Sequence, residues 1–294
     1  MTAEEMKDPR EQGPKPPYPE QTQPAPGTED AMTPQADHGQ DSYRGFNRLQ
    51  DRATLITGGD SGIGRAVAIA FAREGADVLI SYLDEHEDAQ ETVRLVEEAG
   101  RRAVAVPGDI GDEAHCRSLV DRAVSEFGRL DVLVNNAAFQ TTHDTITEHP
   151  SDEIEGIFRT NILAMFWLCK AAVPHMKPGA TIVNTASIQA YQPEPMLLPY
   201  STTKGAIVTF TKGLAQDLTP KGIRVNAVAP GPVWTPLIPM SMPAEKTSQF
   251  GAETPIARAA QPAELAPPYV FLACDESRFV SGEILAVTGG LVTA

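Results

Sequence analysis

Cysteine is scarce in this 294-residue chain: Cys116, Cys169 and Cys274 are the three, and none belongs to a Cys-x-x-Cys pair. Thiols so few and so far apart exclude a disulfide framework or a zinc site as an organising feature. Cys169 and Cys274 sit in apolar helical runs and read as small core residues. An excess of positive charge is also missing. Lys and Arg total 24 against 39 Asp and Glu, a formal net charge of -15. Nucleic acid and anionic membrane surfaces, which are gripped chiefly by basic side chains, are therefore not expected as partners. No run reads as the ~20 apolar residues of a membrane span. The N-terminus lacks the basic-then-apolar pattern of a secretory signal, so a cytoplasmic protein is the expectation. His115, His143, His149 and His175 have no metal-like spacing, and no metal is expected.

Aliphatic residues are nearly absent from residues 1–47, which instead carry Pro9, Pro14, Pro16, Pro17, Pro19, Pro24, Pro26 and Pro34 among Gln and acidic residues. Such a segment buries too little apolar surface to offset its ordering entropy, so a flexible, partly polyproline-like extension is expected. The alternative is an arm laid across a neighbouring subunit, with Tyr18, Tyr43 and Phe46 as anchors.

From residue 48 to the C-terminus the pattern changes. Short apolar runs at 53–56, 78–81, 103–106, 132–134, 181–184, 224–228 and 284–287 read as strands. Helical patterns lie between them, at 64–74, 88–99, 113–127, 154–174 and 200–218. Alternation of this kind indicates an α/β fold: a Rossmann-type doubly wound parallel sheet, here a single domain behind an extended N-terminal tail.

Between the first strand and first helix stands Thr57-Gly58-Gly59-Asp60-Ser61-Gly62-Ile63-Gly64. Glycines at this turn let the backbone approach a pyrophosphate, which then rests on the helix N-terminus. The choice between NAD and NADP falls to the end of the second strand, Ser81-Tyr82-Leu83-Asp84. Tyr82 is neither acid nor base. Asp60 and Asp84 would repel a 2′-phosphate, whereas Ser81 or Tyr82 could donate to one, and the balance leans towards NAD.

Tyr200 and Lys204 are four residues apart, which on a helix puts both on one face. A nearby ammonium favours phenolate and makes tyrosine a usable acid or base. The spacing alone is common. Its force comes from Ser187 ending one strand, Asn135-Asn136-Ala137-Ala138 ending another, Asn161 within the long helix, and Asp109-Ile110 after the third strand. Pro230-Gly231-Pro232-Val233-Trp234-Thr235 follows the sixth strand. Strand carboxyl ends are where open α/β sheets bind ligands.

With these motifs in this order, the chain from about residue 48 onward resembles the short-chain dehydrogenase/reductase family. Asn184-Thr185-Ala186-Ser187, Pro230 to Leu237 and the proline-rich preface bring it nearest to the glucose and ribitol dehydrogenase-like branch, in its bacterial form with a long N-terminal extension. The resemblance implies an NAD(P)-dependent oxidoreductase interconverting an alcohol and an aldehyde or ketone. It implies Tyr200 as general acid/base, Lys204 as its partner and holder of the nicotinamide ribose, Ser187 polarising the substrate oxygen, and Asn161 holding a water. Cofactor contacts are implied at Gly58, Asp60, Ser61, Gly62, Ile63, Gly64, Tyr82, Asp109, Ile110, Asn135, Ala137, Tyr200, Lys204, Pro230, Gly231, Val233 and Thr235. Ala138 and Thr288 depart from the family pattern without touching the catalytic four.

Phe139, Gln140, Gln189, Tyr191 and Met196 follow cofactor or catalytic strands and read as pocket walls, with Gln189 beside Ser187 and Tyr200 on the substrate side. The stretch Thr235–Phe250, with Pro236, Leu237, Ile238, Pro239, Met240 and Met242, reads as a mobile apolar lid over the substrate, buried packing being the alternative. Relatives commonly form homotetramers through the two long helices, which is the assembly implied. A competing expectation is a catalytically silent dinucleotide-binding sensor or assembly protein.

Overall fold

The computed structural model of the chain describes residues 7–293. Among them, seven strands form one parallel sheet in the order β3-β2-β1-β4-β5-β6-β7. They are β1 (Ala53–Thr57), β2 (Asp77–Tyr82), β3 (Ala103–Pro107), β4 (Val132–Asn135), β5 (Thr181–Thr185), β6 (Arg224–Pro230) and β7 (Ile284–Val287). The central strands are buried along their whole length, which is why their sequences are continuous apolar runs with no alternation. In register, Ile56 of β1 lies between Ile80 of β2 and Val134 of β4.

Helices cover both faces. On one side α1 (Gly62–Arg73), α2 (His86–Glu98) and α9 (Pro262–Ala273) pack Phe71, Ala89, Val96, Leu265 and Tyr269 against Ile56, Ile80 and Val134. On the other, α3 (Glu113–Phe127), α5 (Ala164–Ala172) and α6 (Leu198–Leu218) bury Leu119, Leu168 and Leu218 against Leu55, Leu133 and Ile182. Cys116, Cys169 and Cys274 are buried in these layers. Burial pushes the Cys116 and Cys169 thiols up to about 12, so both are inert packing groups.

The helix expected over 154–174 is interrupted. It runs as α4 (Ser151–Phe158), a π turn at Arg159–Leu163, and α5. The π turn directs Asn161 inward, where it is buried. Taken as one rod, Ser151–His175 is long and apolar enough to cross a membrane, contrary to the reading of the sequence. Here it is a layer of the fold, with α5 packed on α3 and α4 on α6. The apolar helical run that ends at Cys274 forms helix α9 although Pro267 and Pro268 stand inside it.

The larger difference concerns the extension, of which residues 1–6 lie outside the described residues. The rest is laid over its own domain in this structure. Tyr18, Met32 and Ala36 are buried with Trp234 and Ala259. The Trp234 indole donates to the Pro34 carbonyl at 2.8 Å, and Arg258 Nε donates to the Pro9 carbonyl at 3.0 Å. The Ala263 amide donates to the Asp37 carbonyl at 2.9 Å. Composition misled because backbone carbonyls, which no composition count registers, make the attachment. Proline also reduces the entropy lost on ordering. Of the three anchors considered, Tyr18 and Tyr43 pack on this same chain, whereas Phe46 is exposed.

The extension joins the domain at Glu74, which is fully buried at the end of α1. Its carboxylate accepts from Tyr43 Oη at 2.7 Å, from the Phe46 and Arg48 amides at 2.8 and 3.0 Å, and from the Arg48 guanidinium at 2.6 Å. Burial alone would push its pKa up, but these donors outweigh burial and bring it down to about 2. A depressed carboxylate contributes stability above the unfolded value and loses it as pH falls towards the folded one. Glu74→Gln is expected to lower unfolding free energy at pH 7 by about 3 kcal/mol, the scale of a shift of ~2–2.5 pKa units. The deficit against wild type should shrink between pH 5 and pH 2, as followed by denaturant titration at each pH. A deficit independent of pH would contradict the account.

Candidate active site

The sheet order reverses between β1 and β4, so their chain continuations part and leave a cleft at the carboxyl edge. The cleft has a volume of about 1250 Å³. Its floor is the turn from β1 into α1. Gly58 and Gly62 have φ of 60° and 50°, a region that favours glycine. A Cβ at Gly58 would stand 3.0 Å from Ala137 Cα, and one at Gly62 3.0 Å from Thr235 Cγ2. A Cβ at Gly64 would overlap the Gly58 carbonyl. Ser61 is the N-cap of α1 and makes no side-chain cap bond. First-turn N–H groups therefore lie beside the cleft at Ser61–Ile63, positions that line it.

Asn136 holds this turn in place. Its Nδ2 donates to the Thr57 and Gly58 carbonyls at 3.1 Å each, while the Thr57 hydroxyl accepts from the Asn136 and Ala137 amides at 3.0 and 3.1 Å. The Thr185 hydroxyl on β5 continues the chain, at 3.2 Å from Asn136 Oδ1 and 2.7 Å from the buried Tyr269 hydroxyl.

Above β5, the loop after Thr185 carries Ser187, and α6 brings Tyr200 and Lys204 opposite it. All three are buried and line the cleft. Ser187 stands on the same wall as the Tyr200 hydroxyl and favours its ionised form. It also accepts from the Gln189 amide at 3.1 Å. Lys204 Nζ lies 5.2 Å from the Tyr200 ring centroid and donates to the Thr185 carbonyl at 2.8 Å. Burial pushes the Tyr200 phenol up to about 12, with Ser187 pulling the other way. Burial alone pushes Lys204 down to about 7. Sequence reasoning expected Lys204 to lower the tyrosine's pKa; in this arrangement desolvation dominates both groups. At neutral pH Tyr200 therefore keeps its proton.

Most of the expected cofactor positions line the cleft: Gly58, Asp60, Ser61, Gly62, Ile63, Tyr82, Asp109, Ile110, Ala137, Tyr200, Lys204, Pro230, Gly231, Val233 and Thr235. Gln189 and lid residues Leu237, Ile238, Met240 and Met242 line it too. Three candidates stand behind the wall instead. Gly64 is a packing glycine under the Gly58 carbonyl. Asn135 points into the core, its Nδ2 donating to Asn184 Oδ1 at 2.9 Å. Asn161 clasps the Phe139 backbone, accepting from its amide at 2.8 Å and donating to its carbonyl at 3.0 Å. It also donates to Thr203 Oγ1 at 3.1 Å. Sequence reasoning missed Asn136 and Thr185 as the ties across the cleft, though both stand in motifs it singled out. Residues Ala25, Pro26 and Gly27 of the extension also line the cleft, with no sequence signal to announce them.

Residues 58–292 match the family model described as enoyl-(acyl carrier protein) reductase. The chain is 51% identical over 287 residues to the uncharacterized oxidoreductase YghA of Escherichia coli (strain K12), covering 97% of this chain and 98% of that one. It is 47% identical over 280 residues to glucose and ribitol dehydrogenase of Daucus carota, covering 93% and 96%. A crystal structure of a short chain dehydrogenase from Burkholderia cenocepacia J2315 in complex with NADP superposes with a TM-score of 0.78 at 36% identity, covering 83% of this chain and 98% of that one. The chain belongs to the short-chain dehydrogenase/reductase family. It is an oxidoreductase of that family with a Rossmann-like fold. The lean towards NAD finds no support in these comparisons, since the dinucleotide in that neighbour is NADP.

Asn161 offers a test of the site's framework. Asn161→Ala leaves both backbone groups of Phe139 without their side-chain partners, at a cost of about 2–4 kcal/mol. Urea unfolding should show that loss, and a change under about 0.5 kcal/mol would mean the clasp is not formed.

Proposed function

We propose that this protein binds a nicotinamide dinucleotide in the cleft and interconverts an alcohol and an aldehyde or ketone, with Tyr200 exchanging the oxygen's proton. The observation that carries the reading is the meeting of the Tyr200 hydroxyl, Ser187 and Lys204 in one wall of a cleft whose floor is the glycine turn. The cradle fits the group: glycines admit the backbone approach, helix α1 presents its N-terminus, and a Cβ at Gly58 or Gly62 would crowd the floor. Gly58, Ser61 and Ile63 would hold the pyrophosphate, the Gly62 amide being taken by Glu29. Asp60, Tyr82, Asp109 and Ile110 would face the adenosine end, and Lys204, Val233 and Thr235 the nicotinamide end. When bound, the dinucleotide supplies or accepts the hydride.

The protein's own residues do the rest. Ser187 and Tyr200 converge on the substrate oxygen and polarise it. With its pKa pushed up to about 12, Tyr200 enters as an acid able to donate its proton to a carbonyl oxygen. For the reverse direction it must give up that proton, and the nearest cation in position to favour phenolate is Lys204. Met240, Met242, Leu237 and Ile238 exclude water from this end. Their apolar character, with the amides of Gln140 and Gln189, suits a small carbonyl or alcohol. Exposed Leu163 and Phe166, the latter edge-to-face with Phe210 of α6 at 4.7 Å, support assembly through these helices, and a homotetramer is the assembly we propose.

Tyr200→Phe removes one oxygen and keeps the ring's packing. Turnover with a panel of aldehydes, ketones and sugar alcohols should fall by about 10²–10⁴, while fluorescence titration shows the reduced dinucleotide still bound. Wild type that binds dinucleotide but turns over nothing in the panel, equal to Tyr200→Phe, would establish a silent binding protein.

At the adenosine end the electrostatics favour NAD over NADP. Asp60 is buried and its pKa is pushed up to about 7, by burial first and then by Glu85. Arg65 behind it is committed to Asp88 at 2.8 Å and Thr92 at 3.2 Å. A 2′-phosphate would meet Tyr82, Ser81 and Glu85, with no uncommitted cation among the described lining residues at that end. The expected outcome is a higher kcat/KM with NAD, and a shift of about tenfold or more towards NADP in Tyr82→Arg. A wild-type preference for NADP would refute the electrostatic argument.

A further inference from the structure

Residues 25–29 of the extension cross between the two sides of the cleft. Ala25, Pro26 and Gly27 line it beside the glycine turn and the lid. Gly27 runs so close to the lid that a Cβ there would stand 2.7 Å from the Pro236 carbonyl. On one side, the crossing is fastened to the lid helices α7 (Leu237–Ser241) and α8 (Ala244–Ser248). The Gln23 amide donates to the Pro239 carbonyl at 2.8 Å. The Tyr18 amide donates to the Ser248 carbonyl at 2.8 Å, and Ser248 Oγ donates back to the Tyr18 carbonyl at 2.7 Å. The Tyr18 ring lies against Trp234 with centroids 4.2 Å apart.

On the other side, the crossing is fastened to the cofactor floor. Glu29 is buried, and its Oε1 accepts from the Gly62 amide, the first residue of α1, at 2.6 Å. The same oxygen is 2.8 Å from His38 Nε2. The Glu29 amide donates to Asp88 Oδ2 at 3.0 Å, which ties the segment to α2 as well. Glu29 Oε2 has no partner although it is buried. A segment bonded to the lid at one end and to the phosphate turn at the other fixes the distance between them. The lid cannot swing away from the turn without breaking one attachment, and the bond that reaches the turn itself is made by one side chain, that of Glu29.

We propose that residues 18–29 form a strap across the dinucleotide cleft, with Glu29 as its latch on α1, and that the cofactor enters and leaves only when the strap lifts. This rests on the reading that the cleft holds a nicotinamide dinucleotide. A gate of this kind slows association and release together, so loosening the latch speeds both.

The test uses full-length protein and stopped-flow fluorescence of NADH and NADPH. Wild type is measured first: if neither dinucleotide binds, the cofactor reading fails and the strap is not what failed. If one binds, Glu29→Ala should raise both its association and release rates by about tenfold, the scale of one hydrogen bond to a charged group. Tyr43→Phe, in the same extension but outside the cleft lining, should leave both within about twofold. Rates equal to wild type in Glu29→Ala overturn the proposal. So does faster association with slower release, which is the signature of removing a negative charge near an anion. Hydrogen exchange on the wild type decides the matter even if the variant does not fold. Cofactor should slow exchange in segment 23–33 in step with the lid segment 236–248. Protection of residues 58–64 with no change in 23–33 overturns it equally.

Discussion

The cleft depends on two chain segments that leave the sheet in opposite directions and must still be held together. After β1 the chain turns into α1, and after β4 it departs to the other side, so nothing in the sheet's own ladder joins the two loops. Asn136 joins them, by donating to two carbonyls of the opposite turn while the Thr57 hydroxyl takes two amides in return. Such a tie needs backbone atoms almost in contact, and that is the reason for glycine at Gly58 and Gly64. Their freedom of conformation is secondary at Gly64, where the overlap with the Gly58 carbonyl would forbid any side chain. Thr185 then links this floor to the wall that carries Ser187, Tyr200 and Lys204, because its hydroxyl meets Asn136 and its carbonyl receives Lys204.

Burial, more than pairing, decides the protonation states in the site. Tyr200 is pushed up, Lys204 down and Asp60 up, each with desolvation as the largest cause. The low dielectric that disfavours these ions also strengthens whatever opposite charge approaches them. A protonated phenol and an amine poised between its two forms at pH 7 are thus more responsive to an approaching charge than an ion pair already formed would be. A preformed Tyr200–Lys204 ion pair would have spent that interaction before the reaction began.

Much of this was legible. Continuous apolar strands, the glycine turn and the Tyr200–Lys204 spacing are local patterns; they placed the sheet correctly and pointed to residues that the structure brings to one cleft. The failures are of one physical kind. Asn135, Asn161 and Gly64 stand in recognisable motifs, but sequence position does not say whether a side chain faces the cleft or the core. Here Asn135 bonds inward to Asn184, Asn161 holds the backbone of the lining residue Phe139, and Gly64 packs under the Gly58 carbonyl. Helix α9 was legible only as an apolar helical run before Cys274, without bounds, and its prolines argue against helix locally. Tertiary burial of Leu265, Tyr269 and Val270 against α1 and the sheet overrides that local preference.

The extension failed to be read for the opposite reason, since its composition is informative about the isolated segment and silent about the surface that receives it. A chain with few aliphatic residues cannot fold alone, yet it needs little apolar area to be held if its ordering cost is small and its polar groups are answered. Prolines lower the first. Arg258, Trp234, Ala263 and the lid carbonyls answer the second, each pairing with extension backbone. The two buried acids complete the argument. Glu74 and Glu29 each receive backbone amides across the seam between extension and domain, so a buried carboxylate at either end is kept ionised by the contacts that join the two parts. Breaking the seam would strand donors and charge together, which is why a tail so poor in hydrophobic residues is held along its length and not at one spot.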